Sequence, residues 1–182
     1  VSCVKGRFAA EDTPTESTSA NCAEGDWFNN WKKYFKPIPV GERLLVRPIW
    51  EDEYDAGGRA VLHLEPGLAF GTGTHETTRL CMELLEKYVK PGDTMLDMGC
   101  GSGILSVAGL LLGAESAVGV DIDPLAVKTA VANAEVNGVA DRFTGICGNL
   151  AGEGSGPFDI VAANTVADGV VLLSTDPPRS LK

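Results

Sequence analysis

An α/β fold with a doubly wound, mainly parallel sheet is the architecture this sequence predicts. Three observations point to it. A short apolar run, Thr94–Met98, follows Pro91-Gly92 and reads as a buried strand. It empties into Asp97-Met98-Gly99-Cys100-Gly101-Ser102-Gly103, where three alternating glycines let the backbone turn tightly and approach a ligand. A helix, Ile104–Leu112, ends at Gly113, and a second strand, 117–120, is closed by Asp121. Strand, glycine loop, helix, strand and acidic end make half of a nucleotide-binding βαβ unit. The carboxylate, about 20 residues past the loop, stands where ribose hydroxyls are taken.

The remaining elements follow in order. Residues 1–25 have little periodicity and a Thr/Ser/Glu/Pro-rich centre, which predicts a flexible lead-in. Residues 26–35 (DWFNNWKKYF) repeat aromatics at helical spacing, so a short amphipathic helix is expected, its stripe packed on the main domain. Pro37 and Pro39 break it. Residues 44–46 and 61–64 read as strands, and 26–64 is taken as a linker of one helix and short strands. The run 65–78 holds glycines and threonines directly before a helix. Spacing alone leaves two readings open: a loop that presents free N–H groups to a ligand carboxylate, or an ordinary threonine-capped helix start. Leu80, Cys81, Leu84, Leu85 and Tyr88 supply the helical pattern that follows.

Past Asp121, Asp123 is placed to cap a helix with Pro124 at its first position. Val127, Ala130, Val131 and Ala134 form its expected buried stripe, and Asn137-Gly138 its end. Phe143–Cys147 is a third strand, 148–156 a polar loop and 158–163 a fourth strand. Residues 65–174 thus form the main domain, and 175–182 a polar tail.

Composition narrows the function. The chain has 182 residues, a formal net charge of -10 and 44% hydrophobic residues. That length supports one domain with a real core. Phosphate contacts dominate nucleic-acid affinity, so so acidic a chain is not expected to bind nucleic acid directly. No apolar run approaches the roughly 20 residues that cross a bilayer, and residues 1–20 lack a secretory apolar segment. The five cysteines are scattered without a C-x-x-C pair, which predicts neither a metal site nor a disulfide framework and fits a reducing cytoplasm.

Glycine spacing selects the ligand class. A dinucleotide fingerprint needs glycine at position 104, where Ile104 stands. The pattern present, D-x-G-x-G-x-G, resembles motif I of the S-adenosylmethionine-dependent methyltransferases; a glycine turn in a dehydrogenase-like or non-binding domain is the alternative. Four runs, GDWFNNWKKYFKPIPVGERLLVRPIWE, EPGLAFGTGTHETT, LDMGCGSGILS and GVDIDPLAV, resemble the ribosomal protein L11 methyltransferases over about residues 25–173. FGTGTHETT is the specific part, and in the family it closes over the cofactor.

The resemblance implies a class I methyltransferase fold, S-adenosyl-L-methionine as cofactor and ribosomal protein L11 as the protein substrate. The amines methylated would be lysine ε-amines and an N-terminal α-amine. It places Thr78, Gly99, Asp121 and Asn164 against the cofactor, with Gly101, Gly103, Asp97, Thr74, His75 and Ile122 around them. Asn164, which follows the fourth strand, lines the methyl-transfer pocket and is the catalytic candidate; no metal is involved. His75 is assigned to holding its loop, and Asp97 to supporting the glycine loop or the cofactor's ammonium. Asn164 is not followed by Pro-Pro-aromatic, which argues against enzymes acting on glutamine amides or adenine amino groups. A family member would continue with three more strands and carry an N-terminal substrate-binding domain, so the chain reads as the cofactor half, with 158–163 as an apolar edge. A methyltransferase for another amine and a non-catalytic remnant remain as alternatives.

Overall fold

The computed structural model describes residues 3–5, 18–20, 36–51, 54–64, 75–148 and 157–164. The chain divides into two compact units, Val1–Lys36 and Pro37–Lys182. In the first, β1 (Cys3–Lys5) pairs antiparallel with β2 (Thr18–Ala20), inside the segment expected to be a lead-in. The aromatic helix expected over 26–35 lies outside the described residues, as do the loop 65–74 and the tail.

The described residues of the second unit form two sheets. The smaller has the order β3-β4-β5, with β3 at Ile38–Val40, β4 at Leu44–Pro48 and β5 at Ala60–Leu64. β3 pairs antiparallel with β4 and carries Pro39, a residue tolerated on an edge strand; it is an element the prolines concealed in the sequence. β4 and β5 run parallel. Among the described residues β5 is an outer strand of this sheet, and an asparagine side chain meets its edge. Asn137 accepts from His63 N at 2.8 Å and donates to His63 O at 2.6 Å, so its amide pairs with the strand as a neighbouring peptide would.

The larger sheet is fully parallel, with order β8-β7-β6-β9: β6 Thr94–Met98, β7 Ser116–Asp121, β8 Phe143–Cys147 and β9 Ile160–Ala163. From β6 the chain steps to β7 and β8 on one side, and β9 returns on the other side of β6. The reversal between β6 and β9 is a topological switch point, and crevices at the carboxyl ends of such strands hold ligands. Among the described residues β9 is an edge strand, and its four residues are half-buried.

Among the described residues three α-helices accompany the strands: α1 (Glu76–Tyr88), α2 (Ile104–Leu112) and α3 (Pro124–Val136). Their buried side chains join Met95, Ala117 and the small sheet in one core that includes Val107, Leu110, Met82, Leu85 and Ala134. The alternate strand residues Leu96, Met98 and Val120 form a second cluster with Val118, Ile146, Phe158 and Val161. Such alternation is what a strand buried on both faces produces. No described helix is long and apolar enough to cross a membrane.

Two helix faces differ from the pattern read in the sequence. In α1 the buried residues are Thr78, Met82 and Leu85, whereas Leu80, Leu84 and Tyr88 are exposed. The helix carries apolar residues on two sides, and only the one bearing Met82 can face the core. In α3 the buried set is Ala126, Ala130, Asn133 and Ala134, with Val131 exposed. Small residues let this helix approach closely, and Asn133 is buried because its amide has a partner in the glycine loop.

Candidate functional site

The glycine loop is a tight turn pinned across the sheet. Gly99 N and Cys100 N both donate to Val120 O, at 2.8 and 3.0 Å, and Gly103 N donates to Cys100 O at 2.7 Å. Gly99, Gly101 and Gly103 all have positive φ, at 70, 52 and 75°, a region costly for other residues. Gly103 is needed twice over. A Cβ there would fall 2.7 Å from the Cβ of Ala130, so its absence also allows α3 to pack against the start of α2.

The loop is held from beneath by two buried polar side chains. Asp97, 1% exposed, accepts from Ser106 N at 3.1 Å and Ser106 Oγ at 2.7 Å. Gly103 is the N-cap of α2 and offers no side-chain cap, so the strand's carboxylate serves instead. Burial raises the Asp97 pKa to about 6; the Ser106 hydrogen bonds oppose the shift and the charge of Asp121 adds to it. Asn133 donates to Ser102 O at 2.8 Å. Nothing in the sequence marked Asn133 for this role beyond a polar residue one turn from Ala130. Cys100 is buried, and burial pushes its thiol well above the ordinary range, so it fills space and stays protonated.

Asp97 also bears on what the loop can bind. A pyrophosphate seats on the free N–H groups of a helix N-terminus. Here one of those groups, Ser106 N, already holds a carboxylate. The site disfavours a dinucleotide for a charge reason as well as through Ile104.

Asp121 ends β7 beside the loop. Its Oδ2 accepts from Gly101 N at 2.9 Å and its Oδ1 from Asp123 N at 3.0 Å. Each carboxylate oxygen has further acceptor capacity, so the group is oriented without being saturated. Ile122 follows and is 72% exposed, a large apolar side chain standing in the open next to Asp121. Asp123 then caps α3 through Leu125 N at 2.9 Å, with Pro124 in the first turn, as the sequence predicts.

The third wall joins distant segments. Thr78, at the start of α1, is 3% exposed, and Asn164, immediately after β9, donates from Nδ2 to Thr78 Oγ1 at 3.0 Å across 86 residues of sequence. His75 is the N-cap of α1: its Nδ1 lies 2.8 Å from Thr77 Oγ1 and accepts from Thr77 N. The contacts described for His75 are these within the first turn of α1; the loop it was expected to hold lies outside the described residues. Of the two readings of 65–78, the helix start is capped by His75 rather than by a threonine; residues 65–74, Thr74 among them, lie outside the described residues. Gly99, Gly101, Gly103 and Asp121 are thus assembled around β6 and β7, with Asp97 beneath, Ile122 beside them, and Thr78 and Asn164 at the β9 side.

The comparisons with known proteins agree with this architecture. A family profile described as ribosomal protein L11 methyltransferase (PrmA) matches residues 4–182. A ribosomal protein L11 methyltransferase of Pelotomaculum thermopropionicum is 50% identical over 159 residues, covering 87% of this chain and 52% of that protein. One from Clostridium perfringens strain SM101 is 48% identical over 158 residues, covering 87% of this chain and 50% of its own. The crystal structure of a ribosomal protein L11 methylase from Lactobacillus delbrueckii subsp. bulgaricus superposes with a TM-score of 0.75 at 32% identity, covering 81% of this chain and 76% of that one. The chain therefore spans about half the length of the curated relatives it matches. With the profile matched over nearly its whole length, the chain belongs to the ribosomal protein L11 methyltransferase family.

Proposed function

We propose that this chain binds S-adenosyl-L-methionine at the carboxyl ends of β6, β7 and β9 and serves the methylation of ribosomal protein L11 on lysine and N-terminal amines. The contact that carries the reading is Asp121 Oδ2 on Gly101 N at 2.9 Å, which puts a ribose-seeking carboxylate and a close-approach loop in one site. The residues present fit the cofactor. It is cationic and has no pyrophosphate, and the site offers Asp121, an already capped α2 and, in Ile122, an apolar surface for a base. When bound, S-adenosylmethionine supplies an electrophilic methyl group on its sulfonium.

The chain's own residues bind, orient and desolvate. Gly99 and Gly101 expose backbone to the amino-acid end, Asp121 takes ribose hydroxyls, and Asn164 accepts a hydrogen bond from the substrate amine. The amine must be neutral to attack. A lysine near pKa 10.4 gives up about 4.6 kcal/mol to lose its proton at pH 7, whereas an α-amine near 7.8 gives up only about 1. Orientation alone can supply about 7–11 kcal/mol, so no dedicated general base is required. His75, committed to capping α1, is not one. The cytoplasm, where L11 is made, is the expected location.

Mass spectrometry of purified L11 after incubation with chain and cofactor tests the reading. Added methyl groups on lysine and N-terminal amines are expected, with Asn164→Ala abolishing them. Unmodified L11 in the presence of bound cofactor would contradict the substrate assignment.

A further inference from the structure

We infer that Thr78 is a positioning residue for Asn164: its hydroxyl takes one amide proton and so leaves the carbonyl of Asn164 facing the amine. The inference rests on the proposed role of Asn164 and goes beyond it, because it gives Thr78 a task other than touching the cofactor.

The hydrogen bond runs from Asn164 Nδ2 to Thr78 Oγ1 at 3.0 Å. An asparagine amide has a donor end and an acceptor end, and the two do opposite things to an amine nucleophile. The carbonyl accepts an amine N–H and leaves the nitrogen lone pair free. The NH2 group would donate into that lone pair and withdraw it from the reaction. Which end faces outward therefore matters, and an unheld amide presents either.

Thr78 can hold it because Thr78 is itself fixed. It is 3% exposed, in the first turn of α1, and the same helix face buries Met82 and Leu85 in the core. Asn164 sits one residue beyond β9, whose last residue, Ala163, is in register with Met98 at the end of β6. The bond thus ties the helix start of the HETT segment to the strand at the switch point. A threonine side chain there supplies an acceptor that a valine of the same shape lacks.

The test compares Thr78→Val, Thr78→Ser and Asn164→Ala in three measurements. In the first, the Asn164 side-chain NH2 resonances are followed by NMR. One proton is expected to be protected from solvent exchange in the wild type and in Thr78→Ser, and unprotected in Thr78→Val. Equal exchange in wild type and Thr78→Val would overturn the inference, whether or not the chain turns over. In the second, calorimetric titration of S-adenosylmethionine should show a smaller loss of affinity in Thr78→Val than the loss of kcat, since one neutral hydrogen bond to another side chain is removed. In the third, kcat for methyl transfer to L11 should fall roughly 10- to 100-fold in Thr78→Val with little change in KM, the size expected of misorientation, and recover in Thr78→Ser. A loss of cofactor affinity that matches the loss of kcat would make Thr78 a cofactor contact and overturn the positioning role. Full activity in Asn164→Ala would instead sink the reading of Asn164 on which the inference rests.

Discussion

β6 and β7 lie side by side, and each runs into a helix, yet their two junctions are built in opposite ways. The first, from Asp97 to Ser106, is sealed. Asp97, Cys100 and Ser102 are buried, Ile104 and Leu105 are buried behind them, and the helix is capped by a carboxylate reaching up from the strand. The second, from Asp121 to Leu125, is open. Ile122 and Leu125 are exposed apolar residues, and the cap is the local side chain of Asp123. The sealed junction offers a ligand its backbone and cannot change without disturbing the fold. The open junction offers side chains and can be altered at little cost to folding. Shape is thus set at one junction and chemical preference at the other.

Substitutions at the two junctions break that contrast in different currencies. The largest effect is expected from Gly103→Ala. It forces an alanine to φ near 75° and drives a Cβ against Ala130, which together should cost about 2–5 kcal/mol of stability in urea unfolding. An unchanged unfolding midpoint would mean that α2 and α3 are not packed as described.

Asp97→Asn comes next and reads the sealed junction through pH. The native pKa of about 6 lies above the ordinary 3.8, so the folded state binds this proton more tightly than the unfolded chain. The contribution favours folding fully below about pH 4 and is lost as the pH rises through 6. Its size is about 3 kcal/mol. Asparagine keeps an acceptor for Ser106 N and removes the ionisation. The stability of wild type relative to the variant should therefore drop by about 2 kcal/mol between about pH 4 and pH 7, measured by urea unfolding across that range. A difference that stays flat with pH would show that Asp97 is not buried as a carboxylate.

How far the site could be read from sequence follows the same division. α2 was legible to its terminal residues, because the loop glycines and Gly113 are unambiguous local signals. β6, β8 and the Asp123-Pro124 start of α3 were equally local. What could not be read depended on distance. The face α1 turns inward is decided by the sheet, so Leu80, Leu84 and Tyr88 suggested a stripe that the structure leaves in solvent. The sequence marks Asn137 only as the end of α3 and Asn133 not at all, because their partners, His63 and Ser102, come from distant segments. Residues 78 and 164 each carried a family expectation, but no local pattern could predict that they share a hydrogen bond. That bond depends on β9 returning beside β6, a property of topology rather than spacing.

Titration of S-adenosylmethionine into the wild type and Asp121→Ala, with unfolding stability followed in parallel, tests the central claim most directly. The open junction should lose function and keep its fold. Affinity is predicted to fall roughly 10- to 100-fold, as removal of a charged hydrogen-bonding partner would produce, while the chain still unfolds cooperatively with stability lowered by no more than about 2 kcal/mol through loss of the bonds from Gly101 N and Asp123 N. Unaltered affinity in Asp121→Ala, or no binding by the wild type, would contradict the claim that this carboxylate and the glycine loop form one cofactor site.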